Sequence, residues 1–139
     1  MKLTRDEAFK LFKTIENFDS KQYNKYFLYA IFSNKKLLIP IIEEIVIKSK
    51  ESTTKAFLDF QNKYNSLKSD DENELNKLRQ DLVNENIEIL NESNELGNKF
   101  NKWIYEEIEL DLKMIAFEHI PEQIDISIYN DLSIIFLDP

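Results

Sequence analysis

Four glutamates, Glu85, Glu88, Glu92 and Glu95, recur at three- and four-residue intervals, interleaved with Asn84, Asn91, Asn94 and Asn98. Side chains three and four apart are neighbours on a helix, so the spacing predicts an acidic ridge. Carboxylates in that arrangement can hold a hard cation or imitate a phosphate backbone toward a basic partner. A solvated outer helix face is the plain alternative. The di-metal sites of helical bundles add Glu-x-x-His on two helices, and this chain has one histidine, His119, outside any such motif.

Other chemistries fail for want of residue types. There is no cysteine, which removes disulfides, thiolate nucleophiles and cysteine-ligated metal sites. A single glycine, Gly97, leaves no material for a phosphate-binding loop. No serine lies in a GxSxG context. The expectation is therefore a protein without catalytic, cofactor-binding or metal-ligating residues. Its candidate partner-binding residues are Glu85, Glu88, Glu92 and Glu95.

Charge is divided unevenly along the chain. The net charge is −8, yet residues 1–69 carry 13 Lys/Arg against 8 Asp/Glu, and residues 70–139 carry 5 against 18. A basic half and an acidic half suit elements of one chain that lie against each other, or are two solvated faces that happen to differ. Lys35, Lys36, Lys48, Lys50 and Lys55 are read in the same plain way, as solubilising charges or as partners within a hairpin. The acidity argues against direct nucleic-acid binding, which needs concentrated positive charge. No apolar run is long enough to span a membrane. The opening MKLTRDEAFKLFK lacks the apolar core of a signal peptide. The expected setting is the cytoplasm of a bacterial host.

Helices must position this ridge. At 139 residues, with 42% hydrophobic content, one glycine and three prolines, the chain suits a mainly α single domain. Thr4-Arg5-Asp6-Glu7 is a capping box opening a short helix to about Phe18, and Asp19 and Ser20 punctuate after it. A helical stripe then runs from about residue 21 to 68, through LLIPIIEEIVI with Pro40 inside it. Ser69-Asp70-Asp71-Glu72 is a second capping box with almost no loop before it. A further helix follows from 70 to about 105, with Leu75, Leu82, Ile89, Leu96 and Trp103 at intervals of seven.

These two stretches make a long antiparallel helical hairpin. Counting from the turn places Pro40 level with Gly97, so kinks are expected near both. The domain is read as a base, 1–39 and 98–139, with a projecting hairpin, 41–96. The isoleucines of the first arm are expected to face Ile89. After the hairpin, Ile108, Leu110, Leu112 and Met114 alternate with Glu109, Asp111 and Lys113, a strand pattern. That strand needs a mate: 124–128, 134–137 or a second copy of the chain. A short last helix is placed at 127–136, after a break holding Pro121.

From about Tyr26 onward the chain resembles a family of small proteins from tailed phages and prophages of AT-rich bacteria. The residues carrying the resemblance are AIFSNKKLL, KAFLDFQNKY and EEIELDLKMIAFEHIPEQI. It implies a helical hairpin, an acidic strand, a proline-containing loop and a terminal amphipathic helix. It also implies phage origin, and no catalytic residue comes with it.

The resulting expectation is a non-enzymatic interaction module. It would act as a phage-encoded accessory or inhibitor protein that binds a host or defence protein through the acidic ridge. The partner surface would be basic, such as a groove built for nucleic acid. The alternative is a virion or assembly component that self-associates as a homo-oligomer through the strand. An enzyme using carboxylates and a metal is the third reading.

Overall fold

The computed structural model describes residues 1–18 and 23–139 of the chain. Asp19 and Ser20, expected to punctuate after the first helix, lie outside the described residues. The fold is mainly α with one small sheet. Along the chain come β1 (Lys2–Thr4), α1 (Arg5–Glu16), α2 (Lys25–Glu51), α3 (Lys55–Ser66), α4 (Glu72–Glu85), α5 (Ile87–Ile104), β2 (Glu107–Glu109) and α6 (Ile126–Leu132). Two compact units result: Met1–Val46 with Ile104–Pro139, and Ile47–Trp103.

In the first unit, Thr4 caps α1, its hydroxyl oxygen accepting from the Glu7 amide at 3.1 Å. One face of α1 buries Ala8, Leu11, Phe12 and Ile15. They join Leu3, Phe27, Ala30, Ile31, Leu38, Leu112, Ile115, Leu132 and Ile135 in one core. Each leucine or isoleucine so buried contributes about 1.5–3 kcal/mol relative to exposure. Ile41 and Ile42 of LLIPIIEEIVI pack at the edge of this same core. Among the described residues, Asn34 is the buried polar residue, at 0% exposure. It accepts from the Lys113 amide at 2.6 Å and donates to the Lys113 carbonyl at 2.9 Å.

The alternating segment finds a mate that periodicity did not nominate. β2 pairs antiparallel with β1, with Lys2 opposite Glu109, Leu3 opposite Ile108 and Thr4 opposite Glu107. A strand of three residues at the N-terminus carries too little pattern to be seen in advance. Residues 134–137 make a lesser contact. Ile115 bridges Phe136 in parallel, donating to the Ile135 carbonyl at 2.8 Å and accepting from the Leu137 amide at 2.9 Å. The alternation itself stops early, because Ile115 is buried and Met114 is exposed. The expected last helix is shorter, ending at Leu132 and followed by a 3-10 turn over Ser133–Ile135.

The helical stretches before and after residues 67–71 are each interrupted, at positions other than Pro40 and Gly97. α2 runs unbroken through Pro40, and α5 through Gly97. A proline in mid-helix removes one backbone hydrogen bond, and here its ring lies on the exposed side of α2, where water can serve the freed carbonyl of Lys36. The breaks fall at Ser52–Thr54 and at Asn86, with Thr53 and Asn86 sixteen and seventeen residues from Ser69. Polar side chains make both. Thr54 caps α3 by accepting from the Phe57 amide. Asn86 ends α4 by donating its side-chain amide to the Leu82 carbonyl at 2.8 Å. The turn between the arms is also longer than expected. Asp71, not Ser69, caps α4, accepting from the Asn73 amide, while the Ser69 hydroxyl donates to Glu74.

The residues spaced at intervals of seven are partly covered. Leu75, Leu82, Ile89, Leu96 and Trp103 are all half-buried, and Phe60 is the buried residue of α3. Phe60 packs between Phe57 and Tyr64, and the Arg79 guanidinium of α4 sits 5.5 Å over the Tyr64 ring. A few helices, each offering one apolar stripe, bury that stripe only partly, and this is what the exposures report.

Candidate functional site

The four candidate residues divide between two helices. Glu85 is the last residue of α4, and Glu88, Glu92 and Glu95 lie on α5 beyond the break at Asn86. The three on α5 follow at intervals of four and three residues and share one face. All four are exposed, as are Asn84, Asn91, Asn94 and Asn98 around them. Among the described residues none of the four glutamates takes part in an ion pair. Nor, among the described residues, do three or more carboxylate or imidazole groups converge as they would to hold a metal ion. The ridge is a line of separated charges on a surface, a geometry that suits electrostatic contact with another surface.

The lysines of the first arm do not meet these glutamates. Among the described residues, Lys48 pairs with Glu51 at 3.9 Å along its own helix, and Lys35, Lys36, Lys50 and Lys55 have no ion-pair partner. The basic and acidic halves of the sequence meet instead beside the small sheet of the first unit. There Arg5 binds Glu106 at 3.1 Å, and the terminal ammonium of Met1 binds Glu109 at 3.2 Å.

Among the described residues, Asp125 and Lys10, both in the first unit, are shifted from their ordinary values. Asp125 caps α6, and the hydroxyl and backbone amide of Ser127 hold its carboxyl below the usual range. A hydrogen bond to Asp6, one turn earlier on α1, holds the Lys10 ammonium above its usual range. Each is a local helix device. His119 lies in a 3-10 turn, Phe117–His119, stacked on Tyr26 with ring centroids 4.5 Å apart, while its carbonyl accepts from Asn24.

Two concavities and one helix face were not visible in the sequence. A groove of about 440 Å³ in the first unit is lined by Phe117, Ile120, Pro121, Ile124, Ile126 and Tyr129, with Glu118 and Glu122 beside them. A hollow of about 320 Å³ in the second unit is floored by Leu96, Phe100 and Trp103 and edged by Lys48, Glu51 and Lys99. The outward face of α2 exposes Tyr29, Phe32 and Ile39 at 68%, 47% and 39%. Such faces show as exposure only after folding has decided which side of a largely apolar helix is core.

Comparison of the chain with protein-family models, with curated proteins and with solved structures returns no match. Among the described residues, no helix is long and apolar enough to cross a membrane.

Proposed function

We propose that this chain is a non-enzymatic protein–protein interaction module whose acidic ridge, Glu85, Glu88, Glu92 and Glu95, engages a basic surface on another protein. The observation that carries the reading is that these four carboxylates are exposed and unpaired among the described residues. Charges held in that state are available to a partner, and they steer association more than they stabilise the fold. A groove built for nucleic acid is the kind of basic surface that a line of carboxylates fits. In keeping with the resemblance to tailed-phage proteins, the module would be an accessory or inhibitor protein that acts on a host or defence protein in the bacterial cytoplasm.

The test reverses the ridge and controls for net charge. A triple variant, Glu88→Lys, Glu92→Lys and Glu95→Lys, is compared with a control of equal net charge, Glu16→Lys, Asp111→Lys and Asp138→Lys. Affinity capture from a bacterial lysate should retain the same partner with wild type and control and lose it with the ridge variant. Circular dichroism should show all three equally helical. Equal capture by all three chains, or capture by none, refutes the reading.

A further inference from the structure

α2 has two apolar faces, and the core of the first unit uses one. Phe27, Ile31, Asn34 and Leu38 are fully buried on it. On the opposite face Tyr29, Phe32, Lys36, Ile39, Pro40 and Glu43 follow at helical spacing, and all six are exposed. An aromatic and aliphatic stripe left in water is the usual mark of an interaction surface.

The charges on this face say what covers it. Lys36 on the face, with Lys35 on its flank, precedes the apolar stretch Leu37–Ile42, and Glu43 on the face, with Glu44 on the other flank, follows it. Lys36 and Glu43 are equidistant from the midpoint between Ile39 and Pro40, and so are Lys35 and Glu44. Among the described residues none of these four has an ion-pair partner. A segment whose charge reverses about its own centre is complementary to itself when turned end for end. That is the condition for a two-fold symmetric contact, in which one patch meets its own copy.

We propose that α2 is a homodimer surface, crossing the α2 of a second copy antiparallel with the two-fold axis between Ile39 and Pro40. In that register Lys36 is level with Glu43 of the partner subunit. Ile39 lies against Pro40 of the partner subunit, and Phe32 shields the edge. A parallel pairing places lysine against lysine and glutamate against glutamate, so charge selects the antiparallel arrangement. The contact does not depend on the acidic ridge, which belongs to α4 and α5, and a dimer would present two ridges to a partner.

The experiment is sedimentation equilibrium on the full purified chain, with no lysate or partner present, so that its outcome is separate from that of the ridge test. Wild type should dimerise. Lys36→Glu alone and Glu43→Lys alone each set like charges together at both symmetry-related positions, and each should weaken dimerisation by about tenfold or more. The double variant, Lys36→Glu with Glu43→Lys, restores opposite charges in the same register and should recover the dimer. Circular dichroism on each variant excludes unfolding as the cause. A wild type that stays monomeric overturns the proposal. So does a dimer indifferent to the single reversals, or a double variant no better than the singles.

Discussion

Asn34 shows what one residue decides in this fold. It sits on the buried face of α2 and holds both backbone groups of Lys113 through its side-chain amide. Residues 110–114 lie outside regular structure, so the Lys113 amide and carbonyl have no strand partner and Asn34 supplies the bonds. Replacing Asn34 by Ala leaves that donor and acceptor without a partner. The expected cost is about 2–3 kcal/mol in urea-induced unfolding, against less than about 0.5 kcal/mol for Asn91→Ala on the exposed face of α5. Equal effects of the two substitutions would mean that the Lys113 backbone groups find water instead. Nothing in the sequence separates Asn34 from the many other asparagines. Its role depends on which turn of α2 meets a segment 79 residues away. The ridge glutamates are the opposite case, since local spacing alone put Glu88, Glu92 and Glu95 on one face.

At the scale of elements, helix interruption follows side-chain capping more than backbone type. Pro40 and Gly97 are the residues that sequence logic marks as breakers, yet helices run through both. Tertiary packing overrides an intrinsic cost of a few kcal/mol when the helix on either side is anchored. Thr54 and Asn86 make the breaks instead, because their oxygen and amide groups replace lost helical hydrogen bonds. Gly97 gives a direct test. A Cβ built there meets nothing within 4 Å, and no described glycine has positive φ. Gly97→Ala should therefore stabilise the protein by about 0.5–1 kcal/mol in thermal or urea unfolding, by raising helix propensity in α5. A loss of stability would show that Gly97 acts as a hinge after all.

At the scale of the molecule, the two ends of the chain complete one core. Leu3, at 2% exposure, stands opposite Ile108 in the sheet and packs with α1 residues and with Leu132 and Ile135 from the far end. Leu3→Ala should cost about 2–4 kcal/mol, although the third residue of a chain is ordinarily dispensable. Leu137→Ala, at 48% exposure near the other end, should cost under about 0.5 kcal/mol. Urea unfolding of the two variants distinguishes a structural N-terminus from a frayed one. The same joining gives the uneven charge of the sequence a structural use, at Arg5–Glu106 and Met1–Glu109.

The sequence by itself determined what depends on near neighbours. The mainly α class, the Thr4 cap, the partly covered residues from Leu75 to Trp103 and the exposed ridge all follow from spacings of three, four and seven residues. Tertiary structure alone decided the pairing of β1 with β2, the place of Asn34, and which apolar face of α2 is core. It also decided the division at Val46 and Trp103, beyond the residues that sequence reasoning chose as hinges. The physical reason is range. Helical periodicity is written within a few residues, whereas strand mates and core faces are chosen among segments as much as a hundred residues apart, by whichever arrangement removes most apolar surface from water.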